Sequence, residues 1–432
     1  MADHGSDCRR GLPPMFAVQL RFRFLAVLMA FLAAASGPVA GGDWPQWRGP
    51  RRDGICRESG WAARWPADGP RELWRAELGR GLSAVAVSRG RLYTMGSRRT
   101  AEVVTCLEAA TGEEVWRQAY PARRQFAYPG PAATPTVDGE RVYTLGREGH
   151  LVAFDAATGE VAWARELRKD FHVDLPKPDY GHSCSPLVVG DRLIVEVGAR
   201  DGVVVAFEKA TGEVAWRSGR AGVLAYSSPL LFEQGGERRV AVFHALGLGV
   251  LDPASGEELW RFPWKTHDRC SVATPIVAED KVFISSSYGR GAALLRVGAD
   301  EPLWRTREMM CHHATCVLWE GYLYGFHYDR KQAATLRCLS FETGEVQWSQ
   351  AGLGNGTLLL ADGKLIVLGQ RGELVVADAS PRGFRPVSRA KVLGGLCWTV
   401  PVLAHGRLYC RNHPGRLLCL DLRAPPAKAV GE

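Results

Sequence analysis

A short motif, Thr-Gly-Glu-x-x-Trp, recurs along most of this chain and limits what the chain can fold into. The copies lie 44 to 53 residues apart, and the fifth, Leu-Arg-Val-Gly-Ala-Asp-Glu-Pro-Leu-Trp, is degenerate. They end at Trp116, Trp163, Trp216, Trp260, Trp304 and Trp348. Self-similarity at such a period is typical of repeat architectures, in which each unit adds to one continuous structure. The motif therefore predicts one repetitive domain rather than several unlike ones.

Each repeat contains a second recurring phrase upstream of the motif, as in ATPTVDGERVYTLG at residues 133–146. Apolar and polar residues alternate there around an Asp-Gly pair, which is the pattern of an antiparallel hairpin. A second glycine turn follows, and the Thr-Gly of the motif supplies a third. Each unit is therefore predicted to be a four-stranded antiparallel sheet.

The strand phrases give eight units, although the last two have lost the motif. The units begin near residues 82, 131, 183, 226, 272, 313, 355 and 398. The eighth stops at residues 419–422 without a fourth strand, while residues 72–77 carry Trp74 with no strands before it. Both observations are explained by a ring in which the N-terminal segment supplies the missing outer strand and removes the exposed edges. The sequence thus predicts an all-β, eight-bladed β-propeller over residues 72–422, closed by a strand near Trp74.

The repeated tryptophans are predicted to be structural. An indole buries roughly 150 to 250 Å², enough to wedge one blade against the next. The expected docking residues are Trp74, Trp116, Trp163, Trp216, Trp260, Trp304 and Trp348.

The motif Ala-x-Asp-x-x-Thr-Gly-Glu-x-x-Trp, clearest at residues 153–163, resembles the tryptophan-docking repeat of PQQ-like (quinoprotein dehydrogenase-like) β-propellers. The opening DWPQWRGPRRDG at residues 43–54 also resembles exported planctomycete-type members. The resemblance implies one of two kinds of protein. Some members are alcohol dehydrogenases that hold pyrroloquinoline quinone with calcium, a vicinal disulfide and a catalytic aspartate. Others, like the outer-membrane assembly propeller, lack a cofactor and bind proteins.

This chain departs from both kinds. It has no adjacent pair of cysteines, and no cysteine stands at the predicted cleavage site to accept a lipid. Neither activity can therefore be carried over residue by residue, because function lies in sites added to a fold.

The first 40 residues have the pattern of a signal peptide. Four arginines precede or flank the apolar run at residues 24–35, which is too short to span a bilayer comfortably, and cleavage after Ala40 is expected. The alternatives are cleavage after Ala35 or Ser36, an uncleaved membrane anchor, a twin-arginine signal and a start at Met15. Residues 41–71 are expected to form an irregular Trp- and Pro-rich strap, and residues 423–432 a disordered tail. A periplasmic or secreted location follows, and it would permit disulfides among the remaining ten cysteines.

Polar and aromatic residues stand just before several first strands, where they are expected to surround one mouth of the central funnel. The candidate ligand or partner contacts are His182, Tyr226, His267, His313, Asn355 and Trp398, with Tyr180 and His312 close by. Such groups could bind a small ligand or a peptide. The alternative is that they are ordinary loop residues.

The run at residues 309–316 suggests two further chemistries. Cys311, His312, His313 and Cys316 are candidate zinc or copper ligands. Neighbouring side chains on an extended segment point to opposite faces, however, so two adjacent histidines need a kink to share one ion. A disulfide from Cys311 to Cys316 or Cys270 is the other possibility.

No motif for nucleophilic, phosphate-binding or paired-carboxylate chemistry stands out, so no catalytic residue is predicted. The net charge of +8 is scattered, which is unlike a nucleic-acid interface. The sequence favours an exported, monomeric, non-catalytic propeller that presents its faces and funnel to a protein or peptide, without a cofactor, and that contacts membrane only through an uncleaved leader. The alternatives are a quinone- or metal-dependent oxidoreductase and a carbohydrate-binding or sensor module.

Overall fold

The computed structural model describes residues 42–122, 126, 128–173, 180–220 and 224–424. Within them, eight small antiparallel sheets form a ring, which confirms the predicted all-β, eight-bladed propeller. The predicted signal peptide lies outside the described residues, as does the predicted tail beyond residue 424. In the described part of the chain, no helix is long and apolar enough to cross a membrane.

The strands follow the predicted units closely. Two of them precede the first blade, β1 (Ile55–Cys56) and β2 (Glu72–Glu77). Blade 1 consists of β3 (Ala86–Ser88), β4 (Arg91–Arg98), β5 (Ala101–Glu108) and β6 (Glu114–Pro121), and blade 2 of β7 (Thr136–Asp138), β8 (Arg141–Leu145), β9 (His150–Asp155) and β10 (Val161–Glu166). Blade 3 consists of β11 (Leu187–Val189), β12 (Arg192–Ala199), β13 (Gly202–Glu208) and β14 (Val214–Ser218). Blade 4 consists of β15 (Leu230–Gln234), β16 (Glu237–His244), β17 (Gly247–Leu251) and β18 (Glu258–Pro263).

Blades 5 to 8 complete the ring. Blade 5 consists of β19 (Ile276–Ala278), β20 (Lys281–Ser286), β21 (Gly291–Arg296) and β22 (Trp304–Thr306), and blade 6 of β23 (Val317–Trp319), β24 (Tyr322–His327), β25 (Thr335–Ser340) and β26 (Val346–Gln350). Blade 7 consists of β27 (Thr357–Ala361), β28 (Lys364–Leu368), β29 (Glu373–Asp378) and β30 (Pro386–Lys391). Blade 8 contains β31 (Val402–Ala404), β32 (Arg407–Arg411) and β33 (Arg416–Asp421). A helical turn, α1 (Leu167–Asp170), follows β10, and a 3-10 turn (His267–Arg269) follows β18.

The ring closes as the missing fourth strand predicted. Strand β2 pairs antiparallel with β33, with Trp74 opposite Cys419 and Arg75 opposite Leu418. The eighth blade therefore takes its outer strand from the opposite end of the folded chain, so that it has four strands like the others.

Burial within a blade explains its sequence. In blade 2, residues 142–145 of β8 and 151–154 of β9 are all buried, because each middle strand is covered by a neighbouring blade on both faces. In the outer strand β10, Trp163 is buried while Val161 is 56% exposed. The middle strands thus read as continuous apolar runs and the outer strand as a docking plug on a solvated edge.

Five of the docking tryptophans lie against the motif glycine of the next blade, namely Trp74, Trp116, Trp163, Trp216 and Trp304. The indole of Trp116 lies against Gly159, whose φ is +75° and where an added Cβ would come within 2.6 Å of the ring. Glycine is required there for both backbone conformation and close approach. Six indole Nε1 groups donate, over 2.8 to 3.2 Å, to a backbone carbonyl of the following blade: Trp74 to Ala109, Trp116 to Ala156, Trp163 to Lys209, Trp216 to Pro253, Trp304 to Phe341 and Trp348 to Ser380.

The degenerate motif disturbs this pattern. The blade that follows Trp260 carries Asp300 where the other motifs have glycine, and the buried Nε1 of Trp260 finds no hydrogen-bond acceptor among the described residues. The contacts agree with the predicted docking role, whose contribution to stability remains a prediction.

Substituting phenylalanine for two of these tryptophans would measure that contribution. Trp163→Phe removes a hydrogen bond as well as part of the ring, whereas Trp260→Phe removes part of the ring only. We expect Trp163→Phe to be the more destabilising by about 1 kcal/mol in urea unfolding, since this is the usual net value of one hydrogen bond. Equal losses would show that the Nε1 contacts do not contribute.

Residues just before the first strands form a hydrogen-bonded belt around the axis. First strands of neighbouring blades touch each other, as β3 touches β7 and β7 touches β11. Backbone N–H groups donate to the next blade in five of these bonds: Leu82 and Ser83 to the carbonyl of Pro131, Thr134 to Ser185 Oγ, Ser185 to Ser228 Oγ, and Thr274 to Thr315 Oγ1. Hydroxyl groups donate to a backbone carbonyl in three more: Ser227 to Ala273, Thr357 to Thr399, and Thr399 to Leu82. The Ser/Thr that recurs at the start of each unit, often before Pro, has this role.

Residues 43–62 lie across the axial opening and contact every blade. The contacts are Trp44 with Val87 in blade 1, Pro45 with Val137 in blade 2, Arg52 with Ser185 and Pro229 at blades 3 and 4, Trp47 with Thr274 at blade 5, Arg48 with Thr315 at blade 6, β1 with β27 in blade 7, and Glu58 with His405 in blade 8. We call residues 43–62 the strap.

Two arginines anchor the strap. Arg48 and Arg52 are each 2% exposed, both have left-handed backbone conformations, and both donate to main-chain carbonyls rather than to carboxylates of the blades. Burial lowers the pKa of each guanidinium to about 10, so both remain charged at neutral pH. Non-glycine residues hold that conformation only where their surroundings determine it. The two side chains therefore fix the path of the strap.

Candidate functional site

The strap and the loops before the first strands enclose a pocket on the axis of the ring. It holds about 900 Å³, counted out to its open mouth, within the usual range for ligand sites. Its aromatic lining consists of Trp47 from the strap together with Tyr128, Tyr180, Tyr226, Tyr288, His312, His313 and Trp398. Smaller residues, including Ser183, Ser185, Ser228, Val272 and Val400, complete the wall.

The aromatic side chains are in mutual contact. His313 stacks on Trp398, with ring centroids 3.9 Å apart and an interplanar angle of 21°. Tyr128 meets Trp398 edge-on at 5.6 Å and stacks on Tyr180 at 6.4 Å. Tyr180 in turn meets Tyr226 edge-on at 5.6 Å. One side of the pocket is thus a continuous arc of rings with their faces and edges fixed by each other.

The segment 311–316 continues this arc beyond His313. His312 lies edge-to-face with His313 at 3.9 Å, and its Nε2 is 2.7 Å from the hydroxyl of Tyr288. Burial lowers the pKa of His312 to about 4 and that of His313 well below its usual range, with the nearby charge of Arg330 or Arg147 adding to the effect. Both imidazoles are therefore neutral at physiological pH.

Two polar side-chain atoms of the lining residues are buried without a partner. The Nε1 of Trp398 and the Nδ1 of His312 have no hydrogen-bond partner among the described residues, and neither atom is exposed to solvent. Arg147, the one charged residue in the described lining, donates to the carbonyls of Gly130 and Tyr180. The described lining is thus mainly aromatic and carries no charge apart from that of Arg147.

Three of the six predicted funnel contacts line the pocket: Tyr226, His313 and Trp398. His267 is exposed and lies on the rim, with its ring 6.1 Å from Tyr288. His182 is fully buried, with its ring nitrogens 3.3 and 3.4 Å from main-chain carbonyls, and lies outside the lining.

Asn355 also lies outside the lining, although it keeps an unusual feature. It is 3% exposed, its N–H donates to Gln370, and both polar atoms of its side chain have no partner in the described structure. That any of the six residues contacts a ligand remains a prediction.

The sequence did not reveal four of the lining residues. Tyr128 comes from the link between blades 1 and 2, Tyr288 from the turn between β20 and β21, Trp47 from the strap, and Arg147 from the turn between β8 and β9. These four residues do not occupy a position that recurs from blade to blade, so the repeat could not identify them. Only Trp47 stood out in the sequence, as a tryptophan outside the repeat motif.

The proposed metal ligands do not form a cluster. In the described ranges, no three His, Cys, Asp or Glu residues are placed to hold one ion. Cys311 and Cys316 instead face each other, with their sulfur atoms 3.2 Å apart, while Cys270 lines the pocket.

The pocket does not match the needs of pyrroloquinoline quinone with calcium. Calcium takes oxygen ligands, most often carboxylates, and no carboxylate is among the described lining residues. The quinone itself is a tricarboxylate, whereas the single guanidinium of the pocket is held by main-chain carbonyls. No catalytic step through that cofactor follows from these residues.

The fold and the pocket define an eight-bladed propeller of PQQ-like repeats with an aromatic axial site. The family model described as outer membrane protein assembly factor BamB matches residues 60–125 and 100–350. The chain belongs to this family.

Comparisons with curated proteins give two groups of relatives. The BamB of Yersinia pestis is 24% identical over 66% of this chain and 72% of its own length. The quinohemoprotein alcohol dehydrogenase ADH-IIG of Pseudomonas putida is 31% identical, but over 33% of this chain and 20% of the enzyme. In sequence, the match thus spans only about a fifth of the length of each of these curated dehydrogenases.

Solved structures share the fold. BamB from Moraxella catarrhalis superposes with a TM-score of 0.57 and 17% identity, over 82% of this chain and all of that one. The quinohemoprotein alcohol dehydrogenase of Comamonas testosteroni gives a TM-score of 0.71 and 14% identity, over 90% of this chain and 82% of the enzyme chain. At such identities the likeness concerns architecture alone.

Proposed function

We propose that this protein is a non-catalytic propeller of the cell envelope whose axial pocket binds a protein or peptide partner through an apolar or aromatic side chain. The observation that carries the proposal is the arc of aromatic rings in mutual contact that lines the axial pocket. The name of the BamB relatives, outer membrane protein assembly factor, supports a role among envelope proteins. In this proposal residues 1–40 direct export.

The chemistry of the pocket favours an uncharged anchor. His312 and His313 are neutral, and the charge of Arg147 is already compensated by carbonyl dipoles. A cation would find ring faces but no carboxylate among the described lining, which is a poor site for a charged group that must lose its water. An aromatic or aliphatic side chain would instead gain contact area against the rings.

A panel of labelled peptides tests this idea by fluorescence polarisation. The peptides share one polar frame and differ at a single anchor position, which is Phe, Leu, Lys, Asp or Ala. We expect the Phe and Leu peptides to bind and Trp398→Ala to weaken them at least tenfold, because aromatic contacts in a pocket are typical hot spots. Leu259→Ala, on the exposed outer strand of blade 4, is the matched control and should leave affinity unchanged.

The peptide panel, together with melting temperatures, distinguishes peptide binding from the oxidoreductase and carbohydrate-binding alternatives. Failure of every peptide, together with a higher melting temperature in pyrroloquinoline quinone and calcium, would support the oxidoreductase alternative, since binding to the native state alone must raise the melting temperature. That alternative is kept because the dehydrogenase relatives share the fold. Stabilisation by an oligosaccharide panel alone would favour the carbohydrate-binding alternative.

A further inference from the structure

The segment 311–316, Cys-His-His-Ala-Thr-Cys, carries a pair of cysteines that the pocket chemistry does not use. The two thiols are buried, and their sulfur atoms lie 3.2 Å apart. That separation is too long for a covalent bond of about 2.05 Å but short enough that a small side-chain rotation would close it.

The segment is anchored at both ends. The N–H of Cys311 donates to Ser285 Oγ over 2.9 Å, and Arg48 of the strap donates to the carbonyl of Cys316 over 2.7 Å. The N–H of Thr274 in the neighbouring blade donates to Thr315 Oγ1 over 2.9 Å. The backbone therefore holds the two sulfur atoms together whether or not they are bonded.

We infer that Cys311 and Cys316 form a disulfide that clamps the base of the segment bearing His312 and His313. The reaction is thiol–disulfide exchange with a disulfide oxidant, either a protein or a small molecule. One cysteine attacks the oxidant and forms a mixed disulfide, and the second cysteine displaces the oxidant's sulfur. Two thiols of this chain become one disulfide, and the oxidant leaves as two thiols, which carry the two protons and two electrons.

Proximity makes this pair the one that bonds, because its two sulfur atoms face each other at 3.2 Å. Burial raises the pKa of Cys106, Cys338 and Cys419 to about 12, as is typical of inert structural thiols. Because both sulfur atoms are inaccessible in the folded ring, the exchange takes place before blade 6 packs against the strap.

The clamp acts on the geometry of the pocket. His313 stacks on Trp398, and His312 reaches Tyr288, so a segment closed at its base keeps two rings of the pocket wall in place. Since the disulfide can form in a chain whose pocket binds nothing, this inference does not depend on the proposed function.

Peptide mass spectrometry of the exported protein tests the bond directly. The protein is unfolded and alkylated without a reductant and then digested with trypsin, which releases residues 308–330 with both cysteines in one peptide. We expect that peptide to carry no alkyl group and to be lighter than the reduced form by two hydrogen atoms, while the peptides of Cys106 and Cys338 are alkylated. An alkylated peptide 308–330, or one cross-linked to the peptide beginning at Cys270, would overturn the inference.

A stability measurement gives a second readout. Wild-type protein refolded with a reductant, and the variant Cys311→Ser/Cys316→Ser, should both melt about 3 °C below the oxidised wild type, since a six-residue loop loses little chain entropy. Reductant should not change the melting temperature of the variant. If the variant fails to fold, the comparison of oxidised and reduced wild type remains, and equal melting temperatures there would contradict a clamp.

Discussion

Replacing Arg52 with methionine is expected to lower the melting temperature by about 4 °C, which corresponds to about 3 kcal/mol for a domain of this length. The guanidinium is buried where the strap meets blades 3 and 4. It donates to the carbonyls of Ser185, Pro186 and Pro229 and to the side chain of Gln46.

The loss of stability in Arg52→Met follows from the buried carbonyl oxygens that lose their hydrogen-bond donor. Pro186 O retains a bond from Thr136, but Arg52 is the one hydrogen-bond donor of full strength recorded for the carbonyls of Ser185 and Pro229 in the described residues. Each unsatisfied buried carbonyl costs about 1 to 3 kcal/mol, and removal of a buried charge offsets part of this. Methionine keeps the aliphatic volume and has no new backbone restriction, so the change isolates the polar contacts.

Arg51→Met is the matched control, because Arg51 is the exposed neighbour on the same strap. It should leave the melting temperature unchanged within error. Trypsin provides an independent check, since a loosened strap should be cut faster after Arg57. Equal melting temperatures and equal cleavage rates for the two variants would refute the anchoring role of Arg52.

The ring could be predicted from the sequence because its evidence is periodic. Eight strand phrases and a fourth strand displaced to the start of the chain specify a closed propeller without any knowledge of tertiary contacts. The course of the strap could not be predicted. It has no period, and its anchors Arg48 and Arg52 bind main-chain carbonyls more than 130 residues away, which leave no trace in the sequence around them.

The site was predictable where it follows the repeat. Tyr226, His313 and Trp398 stand immediately before first strands and line the pocket. His182 stands at a similar position but lies outside the pocket, while its neighbour Ser183 lines it, because successive side chains of an extended segment alternate in direction. The choice between two neighbours is set by the exact register of the segment, which a count of residues gives only to within one position.

The second large effect is a pH dependence that originates in a buried carboxyl group. Glu196 lies in β12 of blade 3 and is fully buried. One carboxyl oxygen accepts the N–H of Ala225 over 2.7 Å, and the other has no partner in the described structure. Burial raises the pKa of Glu196 to about 8, with the bond from Ala225 opposing part of the rise.

The direction in which the free energy of unfolding changes with pH follows from the protons that the folded and unfolded chains bind. Between pH 4.5 and 8 the unfolded chain has lost this proton while the folded chain keeps it, so the free energy of unfolding falls as pH rises through that window. From pH 4.5 to 7 the loss is about 3 kcal/mol, at 1.36 kcal/mol for each unit. Glu196→Gln supplies a neutral side chain of the same shape, so the stability of the variant relative to wild type should increase with pH.

The measurement is urea unfolding of both proteins at half-unit intervals from pH 5 to 8. The difference between variant and wild type isolates Glu196, because Glu102, whose pKa burial raises to about 7, titrates in both proteins. We expect the difference to change by about 3 kcal/mol in favour of the variant across this range. Glu213→Gln, at an exposed turn, is the matched control for the same substitution outside the core. A difference for Glu196→Gln that does not change with pH would mean that this carboxyl group is ionised in the folded ring, and hence that water or a cation reaches its second oxygen.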